Sequence, residues 1–414
     1  MAHPGVTPSK LLRRRLPPQI KKIYVTNRST GSTELRYQMT VDAGVADANG
    51  TRASKRTQLR RRFLTEKDAR AALSKILEEV SKGTFVPSST ITVEEACAEW
   101  LAERRVREST KAAYTHALQP LRDTYGALAV QKLTKGHLDG LVNDLLAGNS
   151  VKPDGQLRRP WKATSINPML NLVSAVLTGL MREGRLVRDV AALVDRAPRV
   201  HVEMQTFTED EVQRLLEAST SDRNGHAWLL ALSSLRRGEL CGLRWNDVDL
   251  HAGSLTINNT RVSVNGRVVE GPPKTERSKR TLPLTPALKS ALETAHRLQG
   301  VERKSSTYVG PGTYVVSDAV GRPFHPDTVS DYWRRLCNNS DVSDIRLHDA
   351  RHTCGTLLHL QGVPIAVISA WLGHSDNAFT MRTYVHSQNH ALLGAADTLQ
   401  SLVRRRDEPS DDAR

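Results

Sequence analysis

Three helix starts share one grammar, and they divide the chain into three folding units. Thr65-x-x-Asp68, Thr92-x-x-Glu95 and Thr208-x-x-Glu211 each set a hydroxyl at the N-cap and a carboxylate three residues on. The hydroxyl satisfies a backbone N–H that a helix start leaves without a partner, and the carboxylate reaches back to the N-cap N–H. Phe207 and Val212 bracket the third start as a hydrophobic staple. A chain of 414 residues also exceeds one ordinary core, so two or three domains are expected.

The segments between these starts have distinct patterns. Residues 23–84 hold IYVT, ELRYQMTV and the Gln58–Leu64 stretch, short strand-like runs separated by Gly, Ser and Asn, then a helix over Glu66–Lys82. This predicts a small α+β domain, a three-stranded sheet backed by one helix, with the Arg60–Arg62 strand as a charged edge. KGTFVPSS reads as a linker. Residues 90–196 read as an all-α domain, with helices over Val93–Arg105, Thr110–Tyr125, His137–Leu146 and Ser165–Arg182. Residues 204–400 read as a mixed, mainly α domain with a small β-sheet. There LTINN, RVSV and RVVE alternate, Asn265-Gly266 signals a hairpin, KRTLPL adds a strand, and everything after Pro326 reads as helical. Residues 1–22 form a basic flexible arm and 401–414 a disordered tail in this reading.

Charge narrows the partners. Lys+Arg 59 against Asp+Glu 44 gives 59 − 44 = +15, a balance that favours a polyanion such as nucleic acid. Lys10, Arg13, Arg14, Arg15, Lys21 and Lys22 precede the first structured segment, and Arg52, Lys55, Arg56, Arg60, Arg61 and Arg62 follow with no acid between them. The loop Lys152–Lys162, with Arg158, Arg159 and Trp161, reads equally as a DNA-backbone contact or as a solvated loop. No apolar run suggests a membrane span, and the N-terminus lacks the apolar region of a secretory signal. The four cysteines make no CxxC pair and fit a reducing cytosol.

The chemistry concentrates in the third unit. Arg236 follows an apolar helix (AWLLALSSL), where a guanidinium can grip two phosphate oxygens, and Glu239 is placed to hold it. Lys274 lies in the loop between RVVE and KRTLPL, positioned to swing in as a general acid, with Lys279 as a second choice. His348 and Arg351 lie three apart and share a helix face. His348-x-x-x-His352 copies the spacing of a zinc helix with Asp349 between, but Arg351 sets a permanent cation beside any such metal, and no third ligand stands out. His374 follows Leu372-Gly373 at a helix junction, and Tyr384 is ten residues further on. Taken alone, each has an ordinary structural reading. Together they supply cations for a phosphate, a proton donor and a nucleophile, with no metal cluster and no nucleotide-binding loop.

The ordered set Arg236, Lys274, His348-x-x-Arg351, Leu-Gly-His374 and Tyr384 resembles the tyrosine recombinase (phage integrase) family. Ser234 departs from the family's pattern, where glycine is common, and Ala350 stands where a larger apolar residue is usual. The resemblance implies a DNA integrase acting through a 3′-phosphotyrosyl intermediate. Tyr384 attacks the phosphorus, Lys274 protonates the leaving 5′-oxygen, Arg236 and Arg351 hold the non-bridging oxygens, His374 donates a further hydrogen bond, and His348 assists as acid/base or positions the tyrosine. It implies no cofactor and no metal. Residues 23–84 become an arm-type DNA-binding domain, 90–196 a core-binding domain and 204–400 the catalytic domain. The implied partners are double-stranded attachment sites, a homotetramer on DNA, a directionality factor and a host DNA-bending protein, in the cytoplasm at the nucleoid and away from membranes. Leu392, Leu393, Ala396, Leu399, Leu402 and Val403 recur at helical spacing and either cover their own domain or dock on a neighbouring protomer. The alternatives are a relaxing type IB topoisomerase, which the basic N-terminal domain argues against, and a DNA-binding protein with a relic site, which the complete set argues against.

Overall fold

The computed structural model describes residues 15–26, 31–42, 58–82, 85–200, 204–273, 278–305, 313–374, 380–381 and 400. The chain divides into two compact units, Met1–Val200 and His201–Arg414.

In the first unit, β1 (Ile20–Thr26), β2 (Thr33–Asp42) and β3 (Gln58–Phe63) form an antiparallel sheet in the order β1-β2-β3. Helix α1 (Glu66–Ser81) starts at the Thr65 cap. Here the grammar closes only halfway: Thr65 accepts from the Asp68 N–H, but the shorter Asp68 carboxylate takes the Thr65 hydroxyl (2.7 Å). Ile20, Met39 and Val41 from one face of the sheet form a core with Ala69, Leu73 and Ile76 of α1. Strand periodicity and register put Lys21, Arg36, Arg60 and Arg62 together on the opposite face. The arm boundary at residue 22 needs correction. Strand β1 begins at Ile20, which is buried in this core, so Lys21 and Lys22 belong to the sheet.

The same unit carries α2 (Val93–Glu103), α3 (Glu108–Tyr125), α4 (Lys135–Ala147) and α5 (Ala163–Arg182). Thr92 and Glu95 close a full capping box, and Thr134 with His137 closes another. Ile166, Met169, Leu170, Val173, Val176, Leu177 and Leu180 of α5 enter one core with Trp100, Leu118, Leu121, Leu138 and Leu141. Each such aliphatic side chain stabilises by about 1.5–3 kcal/mol when fully buried. Contrary to the expectation that no apolar run suggests a membrane span, helix α5 is long and apolar enough to cross a membrane by length and composition; its apolar stripe is the core of this helical region. The Lys152–Lys162 loop also resolves. Val151 bridges Leu157, Arg158 turns inward to pair with the nearly buried Asp123, and Trp161 stacks on His116 at 6.1 Å. Arg158 and Trp161 thus make contacts within the domain, which neither the DNA-contact nor the solvated-loop reading anticipates.

The second unit holds α6 (Glu209–Ala218), α7 (Gly225–Leu232), α8 (Arg237–Gly242), β4 (Val248–Asp249), β5 (Ser254–Thr256), β6 (Thr260–Val264), β7 (Arg267–Gly271), β8 (Thr281–Pro283), α9 (Pro286–Ser305), α10 (Pro326–Asn339), α11 (Leu347–Leu360) and α12 (Ile365–Leu372). Strands β4, β5 and β8 form one antiparallel sheet, and β6 pairs with β7. Asn265 and Gly266, at φ 49° and 76°, make the tight turn of that hairpin. Thr208 and Glu211 close the third capping box. Trp333 lies between Phe207 (6.0 Å) and Trp228 (5.8 Å) at the centre of the core. Helix α8 lies against β6 so closely that a Cβ on Gly242 would come within 2.8 Å of the Thr260 Cα, so only glycine fits. This contact fixes the short helix whose N-cap is Arg236.

Candidate active site

Helix α7 ends at Leu232, and the chain reverses through Ser234, whose φ is 89°. This is the left-handed region that favours glycine, which gives a physical reason for the glycine common at this position in the family. The turn delivers Arg236 to the N-cap of α8, where its N–H and its guanidinium both donate to Glu239, at 3.0 and 2.6 Å. Glu239 is 2% exposed. The expected Arg236–Glu239 pair thus forms, and it is buried on the carboxylate side only.

Helix α11 presents His348 and Arg351. Arg346 precedes it, with Asp349 accepting from the Arg346 N–H (3.1 Å) and from its guanidinium (2.9 Å). Asp349 is thereby tied to the residue at the helix start. Arg351 is 1% exposed, and it donates to the Ser234 carbonyl at 2.8 Å and to the Leu372 carbonyl. His348 meets His352 edge-on, with ring centroids 5.1 Å apart.

The C-terminal end of α12 joins these parts. A helix leaves its last carbonyls without intrahelical partners, and here three guanidinia take three in succession. Arg280 donates to Trp371 O at 2.8 Å, Arg351 to Leu372 O, and Arg236 to Gly373 O at 3.1 Å. Cations at a helix C-terminus also meet the negative end of its dipole. Gly373 closes the helix at φ 62°, and the His374 N–H returns to Ser369 O at 3.0 Å. The His374 ring then hydrogen-bonds through Nδ1 to Thr380 Oγ1 at 2.8 Å.

The electrostatics follow from this crowding. Burial, then the Arg351 and Arg236 charges, pushes the His374 imidazole down to about 4. Burial and the neighbouring His348 bring His352 to about 4 as well. His348 is lowered by desolvation and by Arg351. All three rings are neutral near pH 7, so each keeps one N–H donor and one acceptor nitrogen. Beside them opens a cleft of about 690 Å³ lined by Arg236, Arg237, Arg334, Arg346 and His348 over Trp333. Its chemistry suits a phosphate backbone.

Of the six residues singled out in the sequence, Arg236, His348, Arg351 and His374 converge here from α8, α11 and the end of α12. Lys274 and Tyr384 lie outside the described residues, as does most of the amphipathic stretch 392–403. Arg280 was not among the candidates. Its only sequence signal is a cation opening an apolar strand, next to Lys279.

Residues 205–390 match the phage integrase family. The chain is 26% identical over 391 residues to a XerC-like tyrosine recombinase of Caldanaerobacter subterraneus, covering 88% of this chain and 96% of that protein. It is 24% identical to an integrase of Mycobacterium phage L5, over 73% of this chain and 77% of that one. In fold it resembles the Tn1549 transposon integrase solved with circular intermediate DNA, with a TM-score of 0.60 and 16% identity over 75% of this chain and 99% of that one. It also resembles the lambda integrase tetramer solved on a Holliday junction, with a TM-score of 0.53 and 17% identity over 90% and 96%. The matched segment, residues 205–390, contains Arg236, Lys274, His348, Arg351, His374 and Tyr384, and it is over this segment that the chain matches the phage integrase family.

Proposed function

We propose that this recombinase is a site-specific DNA integrase that cuts and rejoins strands through a 3′-phosphotyrosyl link, inserting a phage or mobile element and also serving its excision. The observation that carries the reading is the convergence of Arg236, Arg351 and His374 on the end of α12, with His348 on the adjoining helix. In this account the arginines neutralise the non-bridging oxygens as charge builds on phosphorus. Their guanidinia are already anchored by backbone carbonyls and Glu239, so little reorganisation accompanies attack. His374, neutral and fixed through Thr380, donates a further hydrogen bond, and His348 serves as acid/base or orients the nucleophile. Tyr384 attacks, Lys274 protonates the departing 5′-oxygen, and the phosphodiester energy stays in the tyrosyl ester, so no nucleotide cofactor or metal is needed. Each donor of this kind is typically worth about 10²–10³ in rate.

The remaining regions take DNA-binding roles. The N-terminal sheet and helix, expected over residues 23–84 and beginning at Ile20, read as the arm-type domain, because the helix-free face of the sheet gathers Lys21, Arg36, Arg60 and Arg62, the kind of surface that enters a DNA groove. Residues 90–196 read as the core-binding domain and 204–400 as the catalytic domain. The partners are duplex attachment sites and, on DNA, a homotetramer, with a directionality factor and a host bending protein as accessories. The enzyme acts in the cytoplasm at the nucleoid. Incubating the protein with nicked duplexes that tile the DNA flanking its gene tests this reading: one sequence should trap a covalent protein–DNA adduct, and adduct formation on every duplex or on none contradicts it.

A further inference from the structure

The third guanidinium at the end of α12 belongs to no assigned role. Arg280 immediately precedes β8, and its carbonyl accepts from Ile257 N–H at 3.0 Å beside β5, so its backbone is part of the sheet. Its side chain is 7% exposed. Nη1 and Nη2 donate to the two oxygens of Glu239 at 3.2 and 3.1 Å, Nε donates to Trp371 O at 2.8 Å, and Nη2 reaches Ser234 O at 3.5 Å. One buried fork thus touches the carboxylate that orients Arg236, the turn that anchors Arg351, and the helix end that carries His374. Burial works to raise the Glu239 pKa, yet the carboxyl is held below its ordinary value, by Arg280 ahead of Arg236. Lysine cannot reproduce the arrangement, because it has no planar fork.

We propose that Arg280 is a positioning residue that sets the Arg236 guanidinium through Glu239 and the His374 backbone through the Trp371 carbonyl. The inference rests on the phosphodiester-cleaving reading above. Arg280 itself does not meet the phosphate; it determines where the groups that do will stand. A displacement of about 1 Å in such groups costs on the order of 10²-fold in rate.

The test uses the full chain, Arg280→Gln and Arg280→Lys, on a nicked duplex carrying the site that the wild type selects. A second duplex has a methylphosphonate at the scissile position, where one non-bridging oxygen is a methyl group and the negative charge is gone. Expected for Arg280→Gln is unchanged duplex affinity, covalent capture slowed by about 10²-fold on the phosphodiester, and near wild-type capture on the neutral methylphosphonate. If Arg280→Gln does not fold, Arg280→Lys, which keeps the buried charge but not the planar fork, carries the same comparison, with a loss on the phosphodiester and none on the methylphosphonate. Unaltered capture on the phosphodiester overturns the proposal, and so does an equal loss on both substrates, which marks a merely structural residue. A wild type that captures neither substrate overturns the enzymatic reading instead.

Discussion

Arg351 donates to the carbonyl of Ser234 at 2.8 Å, and Ser234 holds that carbonyl in place from a left-handed backbone conformation at φ 89°. A buried guanidinium is thus anchored on a turn that a non-glycine residue adopts only under strain. The serine hydroxyl returns little, since its bond to Trp371 O is 3.4 Å long.

Ser234→Gly should therefore stabilise the protein by about 0.5–1 kcal/mol, because glycine adopts this conformation without the Cβ clash. Ser234→Val should destabilise it by more than about 2 kcal/mol, since a β-branched residue is strained at positive φ and has no room in a fully buried position. Urea unfolding of the two variants checks both signs.

The histidines make stability depend on pH in a defined direction. His352 and His374 are held at about 4 in the fold, below the ordinary 6.5. The unfolded chain therefore binds more protons between those values, and stability falls as pH drops through that window. Melting temperature should be flat from pH 8 to 7 and decline from 6.5 towards 4. His352→Gln should flatten part of that slope, provided the variant folds; an unchanged slope would show that other groups carry it.

Much of this site can be read in the sequence, and the exceptions have a common cause. His348 and Arg351 are legible because helical spacing alone puts them on one face, and Glu239 because it lies one turn from Arg236. Arg280 is not, since its partners stand 41 and 91 residues away in the chain and its neighbours make it look like a solvated strand charge. Arg158 misleads in the same way: its pairing with Asp123 spans 35 residues, and no local pattern announces it. The capping boxes at Thr92 and Thr208 are visible because they are local, and the one at Thr65 fails by a single methylene. Long-range burial of charge is the part that composition and spacing do not encode.

The sheet face assigned to arm-type DNA binding yields a separable phenotype. Arg60→Ala with Arg62→Ala, or removal of residues 1–84, should leave cleavage of the core site near wild type while weakening integration. Loss of core cleavage in these variants would move the essential contacts into the sheet. Comparing nicked-site capture with recombinant product in the same reactions separates the two outcomes.

Binding itself should be strongly salt-dependent. Each phosphate contact contributes a slope of about −0.9 in log affinity against log salt, so Arg334→Ala and Arg346→Ala, from the cleft beside Arg236, should each flatten the slope by about 1. A titration at four or five salt concentrations measures this directly.

The groups gathered at the end of α12 have a purpose here only if Tyr384 attacks a DNA phosphorus. The most direct measurement is covalent capture on a nicked attachment site by the wild type and by Tyr384→Phe, with duplex affinity determined in parallel. The variant should bind DNA as the wild type does and form no protein–DNA adduct. An adduct that persists in Tyr384→Phe contradicts it, because the nucleophile would then be another residue.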